Sequence, residues 1–330
     1  MSEPDPFADI RAAVERRFGR RARIDNIAVP TLGGSNRTII FDLIEATGRR
    51  RLVSRQETYQ AEDSPFRTPG EQFRVMQIAH AHGFPVPEPV FAYEPEDGAG
   101  QGFVTGFVAG ETMPKRIQGD PALAGTRPKL AEAAGRLLAK LHAIPASEAA
   151  LLESCPDSID TLAAHRDRFD HYAEAHPAIE LGLRWLENNR PAAAPPVLVH
   201  GDFRLGNLMV GPEGIRAVLD WECCHLGSAM EDLGWLCTRS WRFGNPALPV
   251  GGLGTREALF AGYEAGGGKV DAEAVRWWEV FGLMRWAVLN IMQAHGHVFG
   301  GRRGVVFAAC GRNTALVEYD LLMTLAGRYD

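Results

Sequence analysis

His200-Gly201-Asp202-Phe203-Arg204-Leu205-Gly206-Asn207, followed by Val218-Leu219-Asp220-Trp221-Glu222, decides how the rest of this chain is read. The first stretch puts an Asp, an Arg two residues on and an Asn five residues on into one short loop. A second Asp arrives at the end of an apolar run, after the turn Gly211-Pro212-Glu213-Gly214. These residue types suit the transfer of a phosphoryl group from a magnesium nucleotide to a hydroxyl. That reaction has a loose transition state, so the protein mainly positions groups and neutralises charge. Asp202 can accept the hydroxyl proton, and Arg204 can offset charge on the moving group. Asn207 offers a neutral oxygen and Asp220 an anionic one, both hard ligands suited to Mg²⁺.

The spacing from His200 to Asn207 is that of the protein-kinase catalytic loop, H-x-D-x-x-x-x-N, with a metal-binding Asp on a later strand end. The wider block adds Leu219-Asp220-Trp221-Glu222, Gly227 and Asp232-Leu233-Gly234-Trp235. Over residues 197–237 it resembles the aminoglycoside phosphotransferase and choline kinase-like family. The Asp-Trp-Glu and Asp-Leu-Gly-Trp wording is most similar to the phosphotransferase modules found beside or fused to acyl-CoA dehydrogenases. The resemblance implies an α+β, protein kinase-like two-lobe fold. Residues 1–108 would form a small antiparallel-sheet lobe that binds the nucleotide. Residues 109–330 would form a large, mainly helical catalytic and substrate-binding lobe, with a helical insertion at about 146–195 walling the acceptor pocket. It implies ATP, with GTP as the alternative, and Mg²⁺.

Working outward, Phe7, Ile10, Val14 and Phe18 have helical spacing. Strand-like runs follow at 24–31, 38–46 and 51–56. The turn Gly33-Gly34-Ser35-Asn36 between the first two can bring backbone N–H groups close to phosphate. Residues 68–82 read as a helix with Glu71 in its first turn. In kinase-like folds a basic residue on the third strand pairs with a helix Glu and grips the phosphates. Arg55 and Glu71 are the residues placed for that pairing. Arg at this position is a feature of the subgroup resembled, and its planar fork is no neutral swap for Lys. Pro85, Pro87 and Pro89 enforce an extended segment, and 102–108 read as a strand.

The second half is helical. Leu130, Ala134, Leu137, Leu138 and Leu141 form a core stripe. Helical character continues over 157–190, then at about 228–241, 255–265, 271–294 and 302–327, with the apolar strand 197–199 leading into the loop. His200 and Asp232 read as structural, the latter at a helix start where it can brace the loop amides from below. Glu222 lies two residues past Asp220, on the same face of an extended segment, and is a candidate metal ligand. Cys223-Cys224, His295-Gly296-His297 and the tryptophans 277, 278 and 286 read as structural.

The bulk numbers exclude classes. The chain has 330 residues, 45% hydrophobic and 23% charged, with a formal charge of 35 − 41 = −6, so no global basic surface serves nucleic acid. No apolar run reaches the roughly 18 residues of a membrane helix. The N-terminus lacks a signal-peptide pattern, and five scattered cysteines make no disulfide framework, which fits the cytoplasm. Two functions compete. One is an ATP-dependent small-molecule kinase, for which the resemblance to the acyl-CoA dehydrogenase-associated modules implies a hydroxyacyl compound rather than an aminoglycoside as the hydroxyl acceptor. The other is a nucleotide-binding regulatory module on a kinase-like scaffold. Intact Asp202, Asn207 and Asp220 favour the enzyme. A protein kinase is disfavoured: Asp220-Trp221-Glu222 stands where Asp-Phe-Gly would be. Oligomeric state is not readable.

Overall fold

A computed structural model describes residues 5–30, 36–58, 64–301 and 303–329. The chain divides into two compact units, Met1–Gly110 with Arg216–Cys223, and Glu111–Ile215 with Cys224–Asp330. The sequence predicts a single boundary at 108/109, with everything after it in the second lobe. Instead, Arg216–Cys223 group with the first unit, where Val218 N–H donates to the Pro85 carbonyl at 2.8 Å and buried Trp221 packs edge-on against Phe84.

The first unit is built on α1 (Ala8–Phe18), β1 (Arg23–Ala28), β2 (Asn36–Glu45), β3 (Gly48–Glu57), α2 (Pro69–Ala81), β4 (Pro89–Ala92) and β5 (Gly102–Gly106). The strands form one antiparallel sheet in the order β1-β2-β3-β5-β4. Side chains alternate between its faces. Ile39, Phe41, Leu43, Leu52 and Val104 form a core with Ile10, Ala13 and Val14 of α1. Three residues past Leu52, Arg55 therefore faces the other way, paired in register with Phe103, whose ring meets Phe73 of α2 at 6.0 Å. α2 starts sharply. Thr68 and Glu71 make a reciprocal capping box and Pro69 fills the first helical position.

The second unit contains α3 (Pro114–Gly119), α4 (Leu130–His142), α5 (Pro156–Tyr172), α6 (Pro177–Asn188), β6 (Val197–Val199), β7 (Leu208–Gly211), and the start of β8 (Gly214–Val218). It continues with β9 (His225–Gly227), α7 (Ala229–Cys237), α8 (Arg256–Ala265), α9 (Ala272–Val298) and α10 (Val305–Leu325). The helical region expected over 157–190 breaks between α5 and α6, where Ala173 turns left-handed and Pro177 restarts the helix. The helix expected over 228–241 stops at Cys237 and passes into a short 3₁₀ turn, Arg239–Arg242. α9 is buried almost all round from Ala274 to Ile291, as its continuous apolar sequence requires. α7 lies against it so closely that a Cβ at Gly234 would fall 2.4 Å from Trp278 Cβ, which is why the Asp-Leu-Gly-Trp motif needs glycine there. All five cysteines are free thiols. Among the described residues, no helix is long and apolar enough to cross a membrane.

Candidate active site

β6 pairs antiparallel with β9 and delivers the chain into the His200–Asn207 loop. Gly201 turns at φ 75°, a conformation open to glycine. The Asp202 carboxylate is held by three donors. Oδ1 accepts from Arg204 Nε and from Trp235 Nε1, each at 2.9 Å, and Oδ2 accepts from Asn207 Nδ2 at 2.5 Å. Asn207 Nδ2 also donates to the Asp202 carbonyl at 2.9 Å. With its nitrogen so committed, Asn207 keeps Oδ1 as its remaining polar atom. Arg204 lies over the Trp241 ring at 4.8 Å, a cation–π contact. A Cβ at Gly206 would come within 2.5 Å of Arg204 Nη1, so glycine here keeps room for the guanidinium.

The loop is braced from behind. Buried Asp232, on α7, accepts from the backbone N–H of His200 and of Gly201, each at 2.9 Å. His142 joins it through Nε2 at 3.2 Å, with the Tyr263 hydroxyl 2.9 Å from its other ring nitrogen. Burial pushes the Asp232 carboxyl up, but the hydrogen bond and charge of His142 and the His200 amide outweigh it, and the net pKa is lowered. Asp202 N–H donates to His200 Nδ1 at 3.2 Å, so this imidazole holds the loop. Arg285 of α9 donates to the Gly201 carbonyl at 2.6 Å and lies 4.6 Å over the Trp235 ring. The structural reading of His200 and Asp232 agrees with these contacts.

The other expected residues gather in the first unit. Asp220 sits at φ 66°, left-handed for a non-glycine residue but tolerated by Asp. Arg55 Nη2 donates to Asp220 Oδ1 at 2.6 Å and lies 3.5 Å from Glu222 Oε2. With its amide turned so that the oxygen faces Arg55, Asn36 accepts from Arg55 Nε at 3.0 Å and Nη2 at 2.8 Å. Burial would lower the Arg55 pKa, but the Asp220 and Glu222 carboxylates raise it, so the guanidinium stays charged. The Arg55–Glu71 pairing is corrected. Among the described residues Arg55 pairs with Asp220 and Glu222, while Glu71 Oε2 accepts from the Thr68 N–H and hydroxyl, both at 2.8 Å. The helix cap takes the carboxylate. Gly33, Gly34 and Ser35 lie outside the described residues.

Sequence reasoning gave Trp235, Trp241, Arg285 and His142 no part in this site. Arg285 carried a signal, a lone cation inside the apolar run Val280–Leu289. Among the described residues no group of three or more His, Cys, Asp or Glu side chains is disposed to hold a metal ion. His297 Nδ1 accepts from the Gly304 N–H at 3.1 Å, a structural contact.

Residues 29–274 match the family model described as "Phosphotransferase enzyme family". The chain belongs to that family. Among curated proteins, mouse acyl-CoA dehydrogenase family member 10 is 31% identical over 203 residues, 57% of this chain and 18% of that protein. The Arabidopsis thaliana probable acyl-CoA dehydrogenase IBR3 is 28% identical over 285 residues, 77% of this chain and 34% of that protein. This phosphotransferase-family chain thus matches between about a fifth and a third of these relatives' length. A Plasmodium vivax ethanolamine kinase superposes with a TM-score of 0.64 at 13% identity, over 93% of this chain and 86% of that one. A spectinomycin phosphotransferase solved with ADP and spectinomycin gives 0.61 at 14%, over 96% and 97%. At such identities the likeness is one of fold, and the fold is the protein kinase-like one.

Proposed function

We propose that the chain is an ATP-dependent kinase that phosphorylates a hydroxyl of a small molecule, with ATP preferred and GTP as the alternative. The observation that carries this reading is the Asp202 carboxylate, fixed by Arg204, Asn207 and Trp235 on a loop whose amides Asp232 braces. A carboxylate so oriented accepts the proton of an incoming hydroxyl without searching for its geometry. Arg204, anchored on Trp241, places positive charge beside it to offset the transferred phosphoryl group. In this reading Asn207, Asp220 and Glu222 are the oxygen donors to Mg²⁺. Their chemistry fits, because Mg²⁺ takes one or two carboxylates and completes its shell with phosphate and water oxygens, needing no all-protein cage. When bound, the ion neutralises phosphate charge. Arg55 and Asn36 are assigned to the nucleotide phosphates, with the glycine turn before them. Glu71 keeps its assignment to the nucleotide lobe only through the start of α2.

The acceptor we favour is a hydroxylated acyl compound over an aminoglycoside. The names of the acyl-CoA dehydrogenase relatives support it. So does the charge pattern of α5 and α6, which in this reading wall the acceptor pocket. Three of their acids are tied to arginines, Asp157 to Arg168 at 2.6 Å, Asp160 to Arg190 at 2.9 Å and Glu180 to Arg166 at 2.6 Å, which reduces the negative field offered to a polyamine. The test is transfer of label from γ-labelled ATP, with Mg²⁺, to a panel of hydroxyacyl thioesters, sugars, amino alcohols and aminoglycosides. Label should appear on a hydroxyacyl compound and vanish with Asp202→Asn. Magnesium-independent nucleotide binding with no transfer to any hydroxyl would favour the regulatory module instead.

A further inference from the structure

The hairpin of α9 and α10 carries an exposed surface with no part in the phosphotransfer site. α10 buries one side, with Thr314, Val317 and Leu321 turned inward. A helix packed in this way ordinarily shows solvent a polar outer face. Here the outer face is apolar. Val298 and Phe299 at the end of α9, and Val305, Val306, Leu316 and Tyr319 on α10, are each more than half exposed, Val305 at 87% and Phe299 at 73%. Val305, Ala309, Arg312, Leu316 and Tyr319 recur at helical spacing, so they form one stripe. An exposed apolar patch of this kind marks an interaction surface.

Its charge says what covers it. The chain as a whole is acidic, at −6, yet residues 280–317 contain no Asp or Glu and four arginines, Arg285, Arg302, Arg303 and Arg312. Both acids of α10 are engaged elsewhere. Glu318 meets His176 Nδ1 at 3.1 Å, and Asp320 meets Arg239 at 3.3 Å. Among the described residues from Val298 to Leu322, every exposed one is apolar, glycine, tyrosine or arginine. A second copy would lay Arg303 and Arg312 against an equally acid-free face, and like charges in contact are costly. A protein partner is ordinarily met by a polar rim. No exposed Ser, Thr, Asn, Gln, Asp or Glu among the described residues of this stretch provides one. Apolar side chains with arginines among them and no acid are what an anionic bilayer surface takes.

We infer that the α9–α10 hairpin docks on a membrane of anionic lipid, its apolar stripe in the boundary between headgroups and acyl chains. Arg303 and Arg312 pair with the headgroup phosphates. Arg312 lies within the stripe and reaches them on its long stem. α10 has 21 residues and is roughly 30 Å long. It lies on the bilayer, no described helix being apolar enough to cross one. Apolar burial holds the hairpin there, and the arginines select negative headgroups, so binding is salt-sensitive.

The test sediments the full chain with vesicles of phosphatidylcholine alone and of phosphatidylcholine and phosphatidylglycerol in equal parts. The chain should pellet with the mixed vesicles, far less with phosphatidylcholine alone, and come off as salt is raised toward about 0.5 M. Arg303→Gln and Arg312→Gln should each weaken binding about fivefold. Val305→Ser together with Val306→Ser should weaken it by at least about tenfold, through the loss of two apolar side chains. Both positions are exposed, so the melting temperature should not change. Arg74→Gln, at an exposed position of α2 in the first unit, should bind like the unaltered chain. The assay contains no nucleotide, so its result stands apart from the kinase reading. No pelleting with the mixed vesicles at low salt, equal pelleting with both kinds, or full pelleting of the double serine variant would each overturn the proposal. So would a concentration-dependent dimer that the same variant dissolves, since a second copy would then cover the face.

Discussion

The two clusters of expected site residues are held by different forces. In the second unit the Asp202 loop hangs on hydrogen bonds from buried groups. The Asp232 side chain is 0% exposed and that of His142 3%. In the first unit Arg55, Asp220 and Glu222 are 24%, 27% and 24% exposed and are held mainly by charge. A buried hydrogen-bonded brace is barely screened by salt, whereas partly exposed ion pairs are screened more. The contrast suits the roles proposed. Proton transfer tolerates little misplacement, so its carboxylate is positioned by the core. Phosphate and cation binding must exchange partners during each turnover, so its groups rest on contacts that can be remade.

The sharpest test separates chemistry from scaffold within the braced loop. Asp202→Asn keeps the size of the side chain but removes the proton acceptor. Turnover should fall by about 10²–10⁴-fold with little change in nucleotide affinity, while the acceptor lost opposite Asn207 Nδ2 should lower stability by about 1–3 kcal/mol. Steady-state kinetics beside a thermal melt checks both. Near-normal turnover would remove Asp202 from the mechanism and erase the contrast between the clusters.

Next in size is the brace. Asp232→Ala strands the amides of His200 and Gly201 and the ring of His142 in a buried site. It should cost about 3–5 kcal/mol of stability. Urea unfolding measures it. A loss below about 1 kcal/mol would mean that the loop is not positioned from the core.

Acid tests the buried polar groups of the same unit. His165 is driven down to about 3 by burial, against the pull of Asp157 and with the push of Arg168. Its hydrogen bonds fit the neutral ring: Nδ1 donates to the Thr161 carbonyl at 2.8 Å, and Nε2 accepts from Arg168 Nη1 at 3.1 Å. The unfolded chain binds this proton from about pH 6.5 downward and the folded chain only near 3. Stability therefore falls across that window as pH drops, by about 1.4 kcal/mol per pH unit from this one group. Asp232 has the opposite history. Its lowered pKa leaves its contribution whole above the ordinary carboxylate value of about 3.9, to be lost only below it. His165→Gln should flatten the slope between pH 6 and 4, and an unchanged slope would reject the neutral buried ring.

What could be read from sequence followed from how local each constraint is. Asp202, Arg204 and Asn207 act within one loop, so their chemistry fixes their spacing and the sequence displays it. α9 was legible because a helix buried on all sides leaves a long apolar run. Trp235 and Arg285 come to the loop from sequence separations of 33 and 84, and His142 comes to the Asp232 brace from 90. No local pattern encodes such approaches. Glu71 is a different lesson. Thr68-Pro69-Gly70-Glu71 is itself a capping-box sequence, so a local claim on the carboxylate was visible and outranked the distant pairing with Arg55.

The smallest expected effect tests the exposed cluster. Asp220→Asn keeps a residue that tolerates the left-handed backbone and removes the charge that faces Arg55. Because both partners are about a quarter exposed, the stability lost should be no more than about 1 kcal/mol and should shrink as salt is raised. Asp220→Ala loses the same charge and adds backbone strain, so it should be less stable than Asp220→Asn at every salt concentration. Unfolding midpoints for both variants in low and high salt separate the two terms. A large, salt-independent loss in Asp220→Asn would show that this cluster is braced from the core after all, like the loop that carries Asp202.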